Sequence, residues 1–111
     1  MVTRRNTRSV GPFGDSSLLI LTSLASGPKH GWALILDIRE YAGISLGAGT
    51  LYGILNRLEN RGLIEALPEE DRRRPFRITA AGEKVMREQI QSLERVSAAG
   101  RARLQFPLAG V

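Results

Sequence analysis

The sequence predicts a mainly α-helical fold with one small β-hairpin. Two observations predict it. From Gly49 to Ile64 the chain reads Gly-Thr-Leu-Tyr-Gly-Ile-Leu-Asn-Arg-Leu-Glu-Asn-Arg-Gly-Leu-Ile, and Leu51, Ile54, Leu55 and Leu58 fall at helical spacing. Behind that helix, Arg72, Arg73 and Arg74 form a basic run within a segment of hairpin character. Helix followed by basic hairpin is the outline of a winged helix-turn-helix.

The elements follow in order. Residues 1–14 read as a flexible basic arm, with Arg4, Arg5 and Arg8 among small and polar residues. The arm is either a plain unstructured terminus or a segment that contacts a minor groove or phosphates. The first helix starts near Asp15 or Ser16, either of which is a suitable cap. Leu18, Leu19, Ile20, Leu21 and Leu24 make it apolar almost all round, which marks a buried central helix ended by Gly27 and Pro28. A second helix is expected from about His30 to Tyr41, closed by Gly43. Trp32, Ile35, Leu36 and Ile38 would supply its core side, and Asp37, Arg39 and Glu40 its wet side. Gly47 is the expected cap of the third helix, with Ser45 as the alternative, and Gly62 its C′ residue.

Leu63 to Leu67 reads as a short strand, Pro68 to Asp71 as the hairpin tip and Arg74 to Thr79 as the return strand, with Phe76 and Ile78 inward and Arg77 outward. These elements make a winged helix-turn-helix over 15–79. Thr79 then caps a last helix over 80–104. Met86, Ile90, Leu93, Ser97, Gly100 and Leu104 repeat at four, three, four, three and four residues along it. A stripe of that kind on a terminal helix asks for a partner, and a second copy of the chain is the simplest. The dimer interface is therefore expected at Met86, Ile90, Leu93, Ser97 and Leu104. Residues 105–111 form a tail.

Composition narrows the function. The chain has 111 residues, enough for one domain, and a formal charge of +5 that favours a polyanionic partner. It has no cysteine, which excludes disulfides, a thiol nucleophile and cysteine-based zinc sites. His30 is its one histidine, too few for a histidine-rich metal site. No apolar run approaches the roughly 20 residues of a membrane span. No nucleophile–base pair or phosphate-binding glycine loop appears, so no catalytic residues, no cofactor and no metal are expected. The reading is a soluble cytoplasmic protein that is not an enzyme.

The face of the third helix opposite its leucines carries Ala48, Gly49, Tyr52, Gly53 and Asn56. It is small, polar and free of acid near its start, as a helix entering a DNA groove requires. Tyr52 suits a phosphate better than a base edge, because a phenol makes no bidentate base contact. Asn56 is either an adenine reader or a solvated side chain. Arg57 and Arg61 have the alternative of pairing with glutamates on the helix. Lys29 and His30 stand at the N-terminus of the second helix, where a phosphate is favoured; His30 is otherwise a surface turn residue. The arm, Lys29 and the arginines of the hairpin would set affinity through phosphates.

Gly27 to Trp32, Gly49 to Glu59, Gly62 to Glu65 and Arg72 to Gly82 together resemble the PadR family of bacterial transcriptional regulators, in that family's order and spacing over roughly residues 16 to 95. The resemblance implies a winged helix-turn-helix homodimer that usually represses a nearby operon on double-stranded DNA and is often released by a small-molecule effector. It places Thr50 and Tyr52 among the recognition-helix contacts, Arg72 to Arg74 in the wing, and the last helix as the dimerisation helix of the family's short members. The chain departs from the family at Gly31-Trp32, where glycine-tyrosine is usual. It also departs at Pro75-Phe76, where the wing usually ends in two aromatics, so a shorter strand pairing is expected. It has no aromatic between Arg77 and Gln105, which argues against sensing flat drugs by ring stacking. The alternative class is a winged-helix protein-interaction module without DNA binding, which Glu69, Glu70 and Asp71 at the wing tip favour because acids there repel phosphate.

Overall fold

The computed structural model of the chain describes residues 16–105. The expected arm and most of the expected tail lie outside them. Among the described residues four helices and one hairpin follow in order: α1 (Ser17–Leu24), α2 (Gly31–Ala42), α3 (Ala48–Asn60), β1 (Ile64–Ala66), β2 (Phe76–Ile78) and α4 (Ala80–Leu104).

Helix α1 is the core's centre. Leu19, Ile20, Leu21, Ser23 and Leu24 are all buried, and α2, α3, β2 and α4 pack around them. Each fully buried leucine or isoleucine stabilises the fold by roughly 1.5–3 kcal/mol. The expected side-chain cap is absent. Ser16 sits at φ 72 with its hydroxyl making no cap bond, and the first turn is closed by its carbonyl, which accepts from Leu19 N at 3.1 Å. Asp15 lies outside the described residues.

Helix α2 is rotated relative to its expected face. Its buried residues are Gly31, Leu34 and Ile38, with Ile35 and Ala42 packed beside them. Trp32, expected in the core, is 60% exposed, and Leu36 is 41% exposed. The stripe runs from Gly31 at three- and four-residue steps, and Trp32 lies one position off it. Asp37, expected on the wet side, is half-buried and accepts the hydroxyl of the buried Ser23 at 2.6 Å. At the far end Tyr41 donates its hydroxyl to the Leu19 carbonyl at 2.6 Å, tying α2 to α1. Burial pushes the Tyr41 pKa up; a hydrogen bond with Thr22 opposes this and the charge of Asp37 adds to it.

Helix α3 follows the sequence closely. Gly47 is its N-cap, Leu51, Ile54, Leu55 and Leu58 are buried, and Gly62 takes φ 76 just past its end, which gives the sharp entry into β1. The strands pair antiparallel with Ile64 opposite Ile78, Glu65 opposite Arg77 and Ala66 opposite Phe76. Phe76 and Ile78 point inward and Arg77 outward, where it bonds Glu65 across the pair. Each strand has three residues, fewer than the sequence reading gave them. Beyond them Leu67 N still reaches the Pro75 carbonyl at 2.9 Å, and Glu70 and Arg73 exchange bonds of 2.7 and 2.8 Å around a tip turn. Asp71 (φ 49) and Arg72 (φ 65) occupy that turn, both left-handed as a type I′ hairpin turn requires.

A second pairing lies on the other side of β2. Lys29 and Phe76 exchange backbone bonds of 2.9 and 3.2 Å, so the segment leading into α2 adds a one-residue strand to the hairpin. Thr79 caps α4 by accepting from Gly82 N at 3.1 Å, and the same hydroxyl donates to the Gly62 carbonyl at 2.7 Å. Gly82 is buried against the Leu63 carbonyl, where a Cβ would overlap it. Val85 and Met86 still touch the core. Beyond Ile90, α4 runs on with its side chains largely exposed.

Candidate nucleic-acid interface

The six α3 residues singled out by the sequence, Ala48, Gly49, Thr50, Tyr52, Gly53 and Asn56, are all exposed. They share the face opposite the leucines because helical periodicity separates the two sets. Gly49 and Gly53 leave open space above the helix backbone. Tyr52 is 52% exposed, and its ring leans towards α2 until its hydroxyl end lies over Gly31. A Cβ on Gly31 would overlap that hydroxyl and come within 2.7 Å of the ring carbon that carries it. The glycine is therefore the seat of Tyr52.

The wing arginines meet the same place. His30, Gly31, Trp32, Tyr52, Arg72, Arg73 and Arg74 line one recess between the start of α2, the start of α3 and the wing. The bond pair between Lys29 and Phe76 holds the wing root beside α2 and so closes this recess. Arg73 reaches His30, with Nη1 at 3.3 Å from Nε2. Arg74 is exposed and donates from Nη1 to the Leu67 carbonyl at 3.1 Å, which holds its stem along the wing. Arg72 is exposed in the tip turn.

Lys29 departs from expectation. Its ammonium turns back onto α1, donating to the Ser23 carbonyl, to Ser26 Oγ at 2.8 Å and to the Gly27 carbonyl at 3.5 Å. These acceptors use its three donors, so it caps the C-terminal end of α1 instead of reaching for phosphate. The acids of the tip lie to one side: Glu70 and Asp71 share a separate recess with His30 and Arg73. Sequence reasoning missed Gly31 and Trp32 as members of the site, although the Gly31-Trp32 pair had marked the spot as a departure from the family pattern.

The expected dimer residues run along α4. Met86 is half-buried against the core and Ile90 half-buried, while Leu93 is 44% and Leu104 79% exposed. Ile90, Leu93, Glu94, Ser97, Ala98 and Arg101 line a shallow, mainly apolar groove. Among the described residues no group of three acids or histidines is placed to hold a metal ion. No helix among them is long and apolar enough to cross a membrane.

A three-helix core that shows a bare polar helix face beside a basic wing is the architecture of a winged helix-turn-helix domain. Residues 20–88 match the transcriptional regulator PadR-like family, and the chain belongs to that family of regulators, which are not enzymes. The chain is 42% identical over 83 residues to an uncharacterized 37.1 kDa protein of transposon TN4556 from Streptomyces fradiae; the match covers 75% of this chain and 24% of that protein, so the chain spans about a quarter of that relative's length. A transcriptional regulator from Clostridium thermocellum has a similar structure, with a TM-score of 0.70 and 27% identity over 78% of this chain and 86% of that one. A PadR family regulator from Eggerthella lenta superposes with a TM-score of 0.67 and 28% identity, covering 96% of this chain and 89% of the other.

Proposed function

We propose that the chain is a sequence-specific repressor in the bacterial cytoplasm that binds an inverted-repeat operator as a homodimer. The observation that carries this reading is the recess itself: Tyr52 from α3 and Arg72 to Arg74 from the wing converge beside the uncovered face of Gly49, Gly53 and Asn56. Within it the roles divide by chemistry. The wing arginines and the Tyr52 hydroxyl suit phosphates, which position the domain. Asn56, lower on the helix and outside the recess, suits an adenine edge. The stripe of Ile90, Leu93, Ser97 and Leu104 supports pairing of two α4 helices, because Leu93 and Leu104 are left exposed among the described residues. The domain boundaries follow: the winged domain over 15–79 and the dimerisation helix over 80–104. Release by a small molecule finds no ring to stack on along α4, which carries no aromatic side chain.

Anisotropy titration of labelled duplex DNA from the region flanking the chain's own gene tests the proposal. Binding should weaken steeply with salt, with log K falling by about 0.9 per neutralised phosphate for each decade of salt. A folded chain that ignores DNA at low salt would instead support the protein-interaction module that the acidic tip favours.

A further inference from the structure

Trp32 is the chain's one tryptophan and stands 60% exposed at the second position of α2. An indole on a surface is costly to hydrate along its apolar body, and such a side chain commonly marks a contact. Its neighbours around the recess are His30, Gly31, Tyr52 and three arginines, with no carboxylate among them. This surroundings would repel a basic partner and attract a polyanion. We propose that Trp32 is a further DNA contact that docks on the sugar-phosphate backbone, its ring against a deoxyribose and its Nε1–H donating to a phosphate. The inference rests on the DNA-binding reading above and adds a residue to it.

The chemistry of the side chain selects the backbone over a base edge. Indole offers one donor and no acceptor, so it cannot make the paired contact that distinguishes bases. One N–H is enough for a phosphate oxygen. The position agrees: the first turn of α2 lies beside Tyr52 and the wing, at the edge of the face that α3 presents. Trp32 would therefore raise affinity for operator and random sequence alike.

Because Trp32 is the one tryptophan, its emission reports its surroundings directly. The full chain is titrated with a short random-sequence duplex at low salt, with binding followed by anisotropy of labelled DNA. In the free protein, acrylamide should quench Trp32 readily, and saturating duplex should shield it. Trp32→Phe keeps an apolar ring and deletes the donor; it should melt at the parent temperature and bind the duplex about tenfold more weakly, the scale of a lost hydrogen bond to a charged group. Duplex binding with unchanged acrylamide access, or a Trp32→Phe variant that binds as the parent does, overturns the inference and leaves the DNA-binding reading standing. A tryptophan already shielded in the free protein also overturns it, because a second copy or a bound small molecule then covers the ring. Absence of duplex binding at low salt defeats the DNA-binding reading and the inference with it.

Discussion

Gly53→Ala separates stability from function on one face of α3. Gly53 lies in the middle of Ala48–Asn60, is exposed, and has nothing within 4 Å of the position a Cβ would take. In the free protein the methyl group meets only water. Alanine is favoured over glycine in a helix interior by about 1 kcal/mol, which for a domain of this size raises the melting temperature by roughly 4–8 °C. Against DNA the sign reverses. A surface kept bare for close approach loses its fit when a methyl is added, and overfilling a packed contact costs about 1–3 kcal/mol, so duplex affinity should fall roughly tenfold. Thermal melts and anisotropy titrations on the one variant give both numbers. A higher melting temperature with unchanged affinity would mean that this face does not meet DNA. A lower melting temperature would mean that something does stand above Gly53, and the placement of α3 would be wrong.

Four other outcomes follow. Tyr52→Ala should leave the melting temperature nearly intact while DNA binding weakens by roughly 1–2 kcal/mol, since the ring is half-exposed on a glycine seat; unfolding by several kcal/mol would make it a core residue instead. Arg73→Ala with Arg74→Ala should weaken operator and random duplex equally and flatten the salt slope by about 0.9 per lost phosphate contact; a loss confined to the operator would assign these arginines to bases. Leu93→Glu should cost several kcal/mol of dimer stability by burying an unpaired charge, read by sedimentation; a variant as tightly dimeric as the parent removes this part of α4 from the interface. Tyr41 has a raised pKa in the folded chain, so its contribution is intact below its ordinary value of 10.0 and is lost as pH rises through the higher folded value. Tyr41→Phe should therefore flatten the alkaline fall in stability, and a fall of unchanged steepness in denaturant titrations would assign it to other groups.

The elements were legible in the sequence where local rules set them. Gly47, Gly62 and Thr79 marked the ends of α3 and the start of α4 because capping is decided within four residues. The leucine stripe of α3 likewise fixed which residues it exposes, and its polar candidates came out together. The phase of α2 was not legible in this way. Trp32, Ile35, Leu36 and Ile38 form an apolar pattern as good as Gly31, Leu34 and Ile38, and the choice is made by packing against α1, which hydropathy alone does not weigh. Lys29 was misread for a related reason: a cation beside a helix start looks ready for phosphate, yet the carbonyls it caps belong to the helix before. The recess depends on Lys29 pairing with Phe76, a contact 47 residues apart that no short motif announces.

That pairing has a mechanical consequence. With β2 stitched to β1 on one side and to Lys29 on the other, the wing cannot swing without dragging the front end of α2, and Lys29 in turn is anchored to α1 through its ammonium. Each subunit is then one stiff jaw. In the proposed dimer the joint of the calipers lies in α4, whose 25 residues make a rod about 37 Å long that leaves the core after its second turn. The span between the two jaws is set by how two such rods cross. A change in operator spacing would be met by altering that crossing, with residues far from any base, while the grip of each jaw stayed as it was.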